Sequence, residues 1–155
     1  MQERKKIKLS RCILAKSRGY VYCEKTGFVT TPRGNIVKRE TNGYVFFSVR
    51  DGDKRFHLNV HVYGWFYKYN EVVDYLDHKN CIRKDNRIKN LRSVTNQENH
   101  FNNSIAKGYC FDKSRNKWLA TIKLNGVQKN LGRFNSEKEA RNAYLKAKKI
   151  YHKID

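Results

Sequence analysis

Between residues 26 and 53 the chain is interrupted again and again by turn signals: Thr26-Gly27, Arg33-Gly34-Asn35, Asn42-Gly43 and Asp51-Gly52-Asp53. Glycine and asparagine tolerate positive φ, so tight turns form readily there and only short strands fit between them. The segments between the turns, in GYVYCEKTGFVTTPRGNIVKRETNGYVFFSVRDGDKRFHLNVHVYGWFYKY, alternate apolar and polar residues. That is the period of a half-buried strand. The only proline, Pro32, falls in one of the breaks. The first half therefore reads as β-hairpins. From His61 the alternation gives way to HVYGWFYKYN, read as a short buried helix despite Gly64.

Charge narrows the partners. The 155 residues hold 34 Lys and Arg against 14 Asp and Glu, a formal net charge of +20. Up to Asn103 there are 21 basic and 10 acidic residues, and beyond it 13 and 4, so both halves are basic. A polyanion is the natural partner, because each neutralised phosphate releases a condensed counterion. No apolar run approaches the ~20 residues of a membrane span, and no signal-like leader opens the chain. The length suits one domain or two small ones. Cys12, Cys23, Cys81 and Cys110 form no C-x-x-C pair. They read as reduced thiols in the cytoplasm rather than zinc ligands.

The stretch DYLDHKNCIRKDNRIKNLRSVTNQENHFN, Asp74 to Asn102, is poor in core residues and crowded with asparagine. Val72, Val73 and Leu76 suggest an extended segment ending at Asp77-His78, and NLRSVT, Asn90 to Thr95, a second strand. Thr95-x-x-Glu98 is a capping-box signature, placing Asn99 in the first turns of a helix. The expected order is strand, loop, strand, helix.

The pattern DH…N…NLRSVT…EN resembles the HNH endonucleases, in particular those of phage and intron homing type, over about Tyr20 to Asn102. The resemblance implies a ββα-metal finger that hydrolyses DNA phosphodiester bonds. In it His78 would be the general base, and Asp77 and Asn99 oxygen ligands to a divalent cation, Mg2+ or Mn2+. Asn90 would brace the hairpin and orient the His78 ring. The residue types suit the chemistry: a neutral imidazole takes a proton from water near neutral pH. A hard cation accepts carboxylate and amide oxygens and keeps most of its waters. Asp77 and His78 are consecutive, so both can address one phosphate only if the strand ends there and the backbone turns. Arg83, Lys84, Arg87 and Arg92 are expected to clamp backbone phosphates. Asn80, Asn86, Asn96, Asn102 and Asn103 are read as turn and cap residues. His57, His61, His100 and His152 are read as structural, since a lone histidine usually is. The family commonly has His-Arg where this chain has His61-Val62.

KGYCFDKSRNKWLATIKLNGVQKNLGRFNSEKEARNAYLKAKKIYH resembles the plant apetala/ethylene-response-factor DNA-binding domain. The matching features are Lys107-Gly108, Lys117-Trp118, Ile122, Leu131-Gly132-x-Phe134, Glu139-Ala140 and Ala143-Tyr144. Three strands, about 108–112, 117–124 and 127–132, precede a helix capped by Ser136-x-x-Glu139. Trp118, Ala120 and Ile122 would face the helix. Leu119, Thr121, Lys123, Gln128 and Asn130 would face DNA, with Lys107, Arg115 and Arg133 on phosphates.

The expectations are therefore an α+β chain in two parts. Residues 1–103 form β-hairpins leading into the finger, with its core at 72–102, and 104–155 form a small three-stranded antiparallel sheet packed on one helix. The expected activity is a metal-dependent homing endonuclease acting on double-stranded DNA at a long recognition site, nicking as a monomer, with dimerisation or a second binding event needed to cut both strands. Its expected place is the cytoplasm, that of the host cell if it is phage-encoded. The competing expectation is a non-catalytic DNA-binding protein on the same scaffold.

Overall fold

The computed structural model describes residues 2–101 and 106–152. The chain is α+β and divides into two compact units, Met1–Thr95 and Asn96–Asp155. The units part ahead of the expected joint at residue 103, so the helix bearing Asn99 belongs to the second. Asn102, Asn103 and most of the joint NNSIAKG lie outside the described residues.

The first unit opens with helix α1 (Gln2–Ser17), which the turn pattern did not foretell. Strands β1 (Val21–Tyr22) and β2 (Val29–Thr30) pair antiparallel. Strands β3 (Glu40–Thr41), β4 (Tyr44–Asp51) and β5 (Lys54–Asn59) form an antiparallel sheet in that order. The Asn42-Gly43 turn has φ of 49° and 79°, the double positive φ of a tight hairpin. Helix α2 (Val60–Tyr69) follows where the alternation stops. Cys12 and Ala15 of α1, Tyr22, Val29, Phe47, Val49 and Leu58 of the strands, and Tyr63 and Phe66 of α2 make the core.

One glycine decides how that core closes. A Cβ on Gly64 would meet the Tyr22 ring at 2.6 Å, so only glycine lets this ring lie on α2. Strand β6 (Tyr75–His78) pairs antiparallel with β7 (Leu91–Val94), in the register Asp77 opposite Arg92 and His78 opposite Leu91. A single 3-10 turn, Ile88–Asn90, leads into β7.

The second unit holds helix α3 (Asn96–Phe101), then β8 (Tyr109–Asp112), β9 (Lys117–Leu124) and β10 (Val127–Phe134), with β9 in the middle. Helix α4 (Glu137–Tyr151) starts at a complete capping box: Glu139 N–H donates to Ser136 Oγ and Ser136 N–H to Glu139 Oε2. Ala120 and Ile122 are buried, and Ile122, Tyr144 and Ala147 form a small core with Leu131 and Tyr151. The expected strand, strand, strand, helix order is present. Trp118 is half-buried and packs edge-on to Phe111, with ring centroids 5.2 Å apart.

Candidate active site

Strand β6 ends at His78, and the chain turns at once: Cys81 N–H donates to His78 O at 2.8 Å, with Cys81 at φ 61°. The backbone thus makes the break that a paired Asp-His requires. Up to that point alternation holds. Asp77 faces Arg92, while the His78 ring lies among Tyr44 of β4, His61 of α2 and Asn86 of the loop.

His78 is only 5% exposed. Its Nε2 lies 3.2 Å from Asn86 Oδ1. The orientation of that amide is set from its other end, where Nδ2 donates to Lys84 O at 3.2 Å. Oδ1 can only accept, so Nε2 carries the ring proton and Nδ1 keeps the lone pair. Burial pushes the imidazole pKa below its ordinary value, and the Asn86 hydrogen bond and the charges of Asp77 and Asp85 oppose that fall. The ring is therefore neutral at neutral pH, the protonation state a general base needs.

The ring-orienting partner expected in Asn90 is supplied by Asn86. The other role expected of Asn90, bracing, is where its side-chain hydrogen bonds go: its Oδ1 accepts from Asn80 N–H at 3.1 Å, and its Nδ2 donates to Asn80 Oδ1 and to Asp85 O. Asn86, read from the sequence as a turn residue, is 2% exposed. Its carbonyl accepts from the Tyr22 hydroxyl at 2.6 Å. A side chain on Gly27 (φ +74°) would strike the backbone of Asn86 and Arg87. The loop that aims His78 is thus pinned by β1 and by the turn after it, far upstream in sequence.

Two expected phosphate clamps have other work. Arg92 donates from Nε and Nη2 to Asp77 Oδ2 at 2.9 and 2.8 Å, with both side chains largely buried. This correction follows from the register, which sets the two residues directly opposite. Arg87 donates from Nε to Asp85 at 2.6 Å and closes the loop on itself. That contact, first among several, holds the Asp85 carboxyl down at about 2. Arg83 lies over the Tyr44 ring, 5.0 Å from its centroid, and donates to Asn42 O. Lys84 pairs with Glu40 at 2.7 Å, both side chains well exposed. An exposed pair of that kind is worth ~0–1 kcal/mol and yields readily to a phosphate.

His61 has a buried Nδ1 with no partner among the described residues. Its ring stands edge-on to His78 at 5.3 Å and 5.2 Å from Tyr44. Burial foremost, then the charges of His78 and Lys8, pushes its pKa down to about 3. It is a neutral wall behind His78.

Residues 62–101 match the family model described as HNH endonuclease. The match covers Asp77, His78, Asn86, Asn90 and Asn99. A solved structure described as DNA binding and cleavage by the HNH homing endonuclease I-HmuI is similar over 90% of this chain and 91% of that one, at 25% identity and a TM-score of 0.48. None of the curated proteins matches the chain.

For a divalent cation the donor types fit. Asp77 offers a carboxylate whose Oδ2 is held by the Arg92 fork, an outer contact that orients a ligand. Asn99, half-buried on α3 in the second unit, offers an amide oxygen. Among the described residues no three His, Cys, Asp or Glu side chains are grouped to hold a metal.

In the second unit Thr121 is half-buried, while Lys107, Lys123, Gln128 and Asn130 are exposed. Asn130 also serves the backbone: its Oδ1 accepts from Gly132 N–H at 2.8 Å across the bulge in β10. Arg115 and Arg133, expected on phosphates, both reach Asp112 Oδ2, at 3.4 and 3.2 Å. The Ser114 hydroxyl first, then these arginines, holds the Asp112 carboxyl at about 2.

Proposed function

We propose that the chain is a metal-dependent DNA endonuclease of homing type, with the finger as its cutting part and the second unit as an additional DNA-contacting module. The observation that carries this is the Asp77-His78 pair at the very end of β6, where the chain turns and the His78 ring is held against Asn86. His78 Nδ1 takes a proton from a water molecule as its oxygen bonds to phosphorus. The bond from phosphorus to the 3′ oxygen breaks, and that oxygen leaves with a proton from solvent. By the resemblance, Asp77 and Asn99 would hold a cation, Mg2+ or Mn2+, that would supply charge neutralisation at the phosphate and the leaving oxygen. Arg92 keeps the Asp77 carboxylate in place, and Asn86 keeps the base in the correct tautomer. In the second unit the face bearing Thr121, Lys123 and Gln128 is the one offered to a DNA groove, with Lys107 on the backbone. The strand, strand, strand, helix order of that unit supports the reading.

The depth of His78 favours a second reading, a DNA-binding protein that keeps the finger as scaffold. A supercoiled plasmid separates the two. Incubated with magnesium, the nuclease gives nicked circles that chelator abolishes and that His78→Ala does not produce, while a gel shift persists in that variant. Linear product should then depend on protein concentration, because one base attacks one strand. Unaltered plasmid with a clear shift would establish the binder.

A further inference from the structure

The solvent face of the hairpin sheet carries a charged feature that the finger's chemistry does not use. Arg18, just after α1, Arg39, just before β3, and Arg50 and Arg55 on β4 and β5 line one open cleft of about 400 Å³ with Tyr20 and Ser48. No carboxylate lines it. All four guanidinium side chains are exposed, and none is ion-paired among the described residues. Arg50 and Arg55 are moreover direct partners in the β4–β5 ladder. Like charges set opposite one another on an antiparallel pair destabilise it, where a carboxylate on either strand would stabilise it. The next pair outward obeys that rule, with Asp51 opposite Lys54. The sheet therefore keeps an unfavourable pair beside a favourable one, and two more arginines from elsewhere in the unit converge on the same spot.

The floor of the cleft is firm. The Tyr20 hydroxyl donates to Ser48 O at 3.1 Å, and its ring stacks on Phe47 with centroids 4.7 Å apart. Ser48 Oγ is in turn 3.0 Å from His57 Nδ1. A rigid sheet thus presents mobile cationic heads with planar forks suited to phosphate oxygens.

We propose that this arginine cleft is a clamp for the phosphodiester backbone of duplex DNA, distinct from the finger. It rests on the DNA-binding part of the proposed function and not on the cleavage chemistry. The cleft is open and its arginines are exposed, so it offers little enclosure to select a small anion. A polyanion gains instead from each phosphate neutralised, through counterion release.

The test uses the full chain and a mixed-sequence DNA duplex, with affinity measured across a salt series. The combined variant Arg39→Gln, Arg50→Gln, Arg55→Gln should lower the slope of log affinity against log salt by about 2.7, at about 0.9 per phosphate contact. The matching Arg→Lys combination should restore the slope, because it keeps the charges, and circular dichroism should be alike in all three proteins. An unchanged slope in the Gln variant overturns the proposal while leaving the nuclease reading in place. A slope lost equally in the Lys variant overturns it, since the effect would not then be charge. Saturable binding of inorganic phosphate that disappears in the Gln variant, with duplex affinity intact, would make the cleft a small-anion site and overturn it too. A lowered slope in a protein that never nicks plasmid would uphold the clamp and remove the nuclease.

Discussion

Arg92 and Asn86 hold the two side chains proposed to do the chemistry, Asp77 and His78. The Arg92 fork sits on Asp77 with little solvent around either side chain. Breaking a buried pair from one side costs up to about 3–5 kcal/mol. Arg92→Ala should therefore lower the urea midpoint sharply, with folding free energy down by that order. A phosphate clamp would instead lose DNA affinity with folding unchanged, so equilibrium unfolding beside a binding titration decides between the two. Asn86→Ala should remove the tautomer lock. A hydrogen bond of this kind is worth about 1 kcal/mol, and about 1.4 kcal/mol is a tenfold change in rate, so single-turnover cleavage should fall about fivefold with duplex binding retained. Unchanged cleavage would move the orienting role away from Asn86. The lowered His78 pKa also has a direction: with the ring neutral to lower pH than a free imidazole, the acid-side loss of cleavage should begin below about pH 6.5.

Elements explain why some of this was legible in the sequence and some was not. The hairpins were legible because their turns need glycine or asparagine at positive φ, and those residues stand at fixed places. Helix α4 announced itself by Ser136 and Glu139, and Asp77-His78 by the strand that ends there. Helix α1 did not, because only Cys12 and Ala15 of its sixteen residues are fully buried and its surface is a run of Lys and Arg. Asn86 looked like any loop asparagine. What gives it a role is the Tyr22 hydroxyl and the space over Gly64, contacts 64 residues apart in sequence or set by a missing side chain. Gly64→Ala should force the Tyr22 ring off α2, costing about 1–3 kcal/mol as overpacking does, and should loosen the Asn86 loop with it. A thermal melt and a cleavage rate, both lowered, would show that coupling; a lowered melt with full cleavage would break it. At the start of α2, His61 links the same region to pH. Its pKa is about 3 when folded and near 6.5 when unfolded, with His78, Tyr44 and Lys8 around it. The unfolded chain therefore binds the proton first. Stability is full above about pH 6.5 and falls by up to about 1.4 kcal/mol per pH unit toward pH 3. His61→Phe should flatten that dependence in urea melts between pH 6.5 and 4.5, and a slope equal to wild type would assign the acid sensitivity elsewhere.

For the whole molecule, the charge of +20 is best judged by where it is already spent. In the first unit Arg87 and Arg92 are tied to Asp85 and Asp77, and in the second Arg115 and Arg133 share Asp112. These four are already ion-paired. Lys107, Lys123 and the arginines of the hairpin sheet are exposed, and none of them is ion-paired among the described residues. If about six such groups meet phosphates at once, affinity for duplex DNA should drop by ~10³ or more between 50 and 200 mM salt. Charge removal by substitution then separates the two populations. Arg115→Gln with Arg133→Gln should leave the salt slope almost where it was, because the freed Asp112 cancels little that DNA had used. Lys107→Gln with Lys123→Gln should lower it by nearly two. The opposite ranking would mean that DNA pulls Arg115 and Arg133 off Asp112 on binding. The second unit would then grip the backbone with the residues its resemblance first suggested.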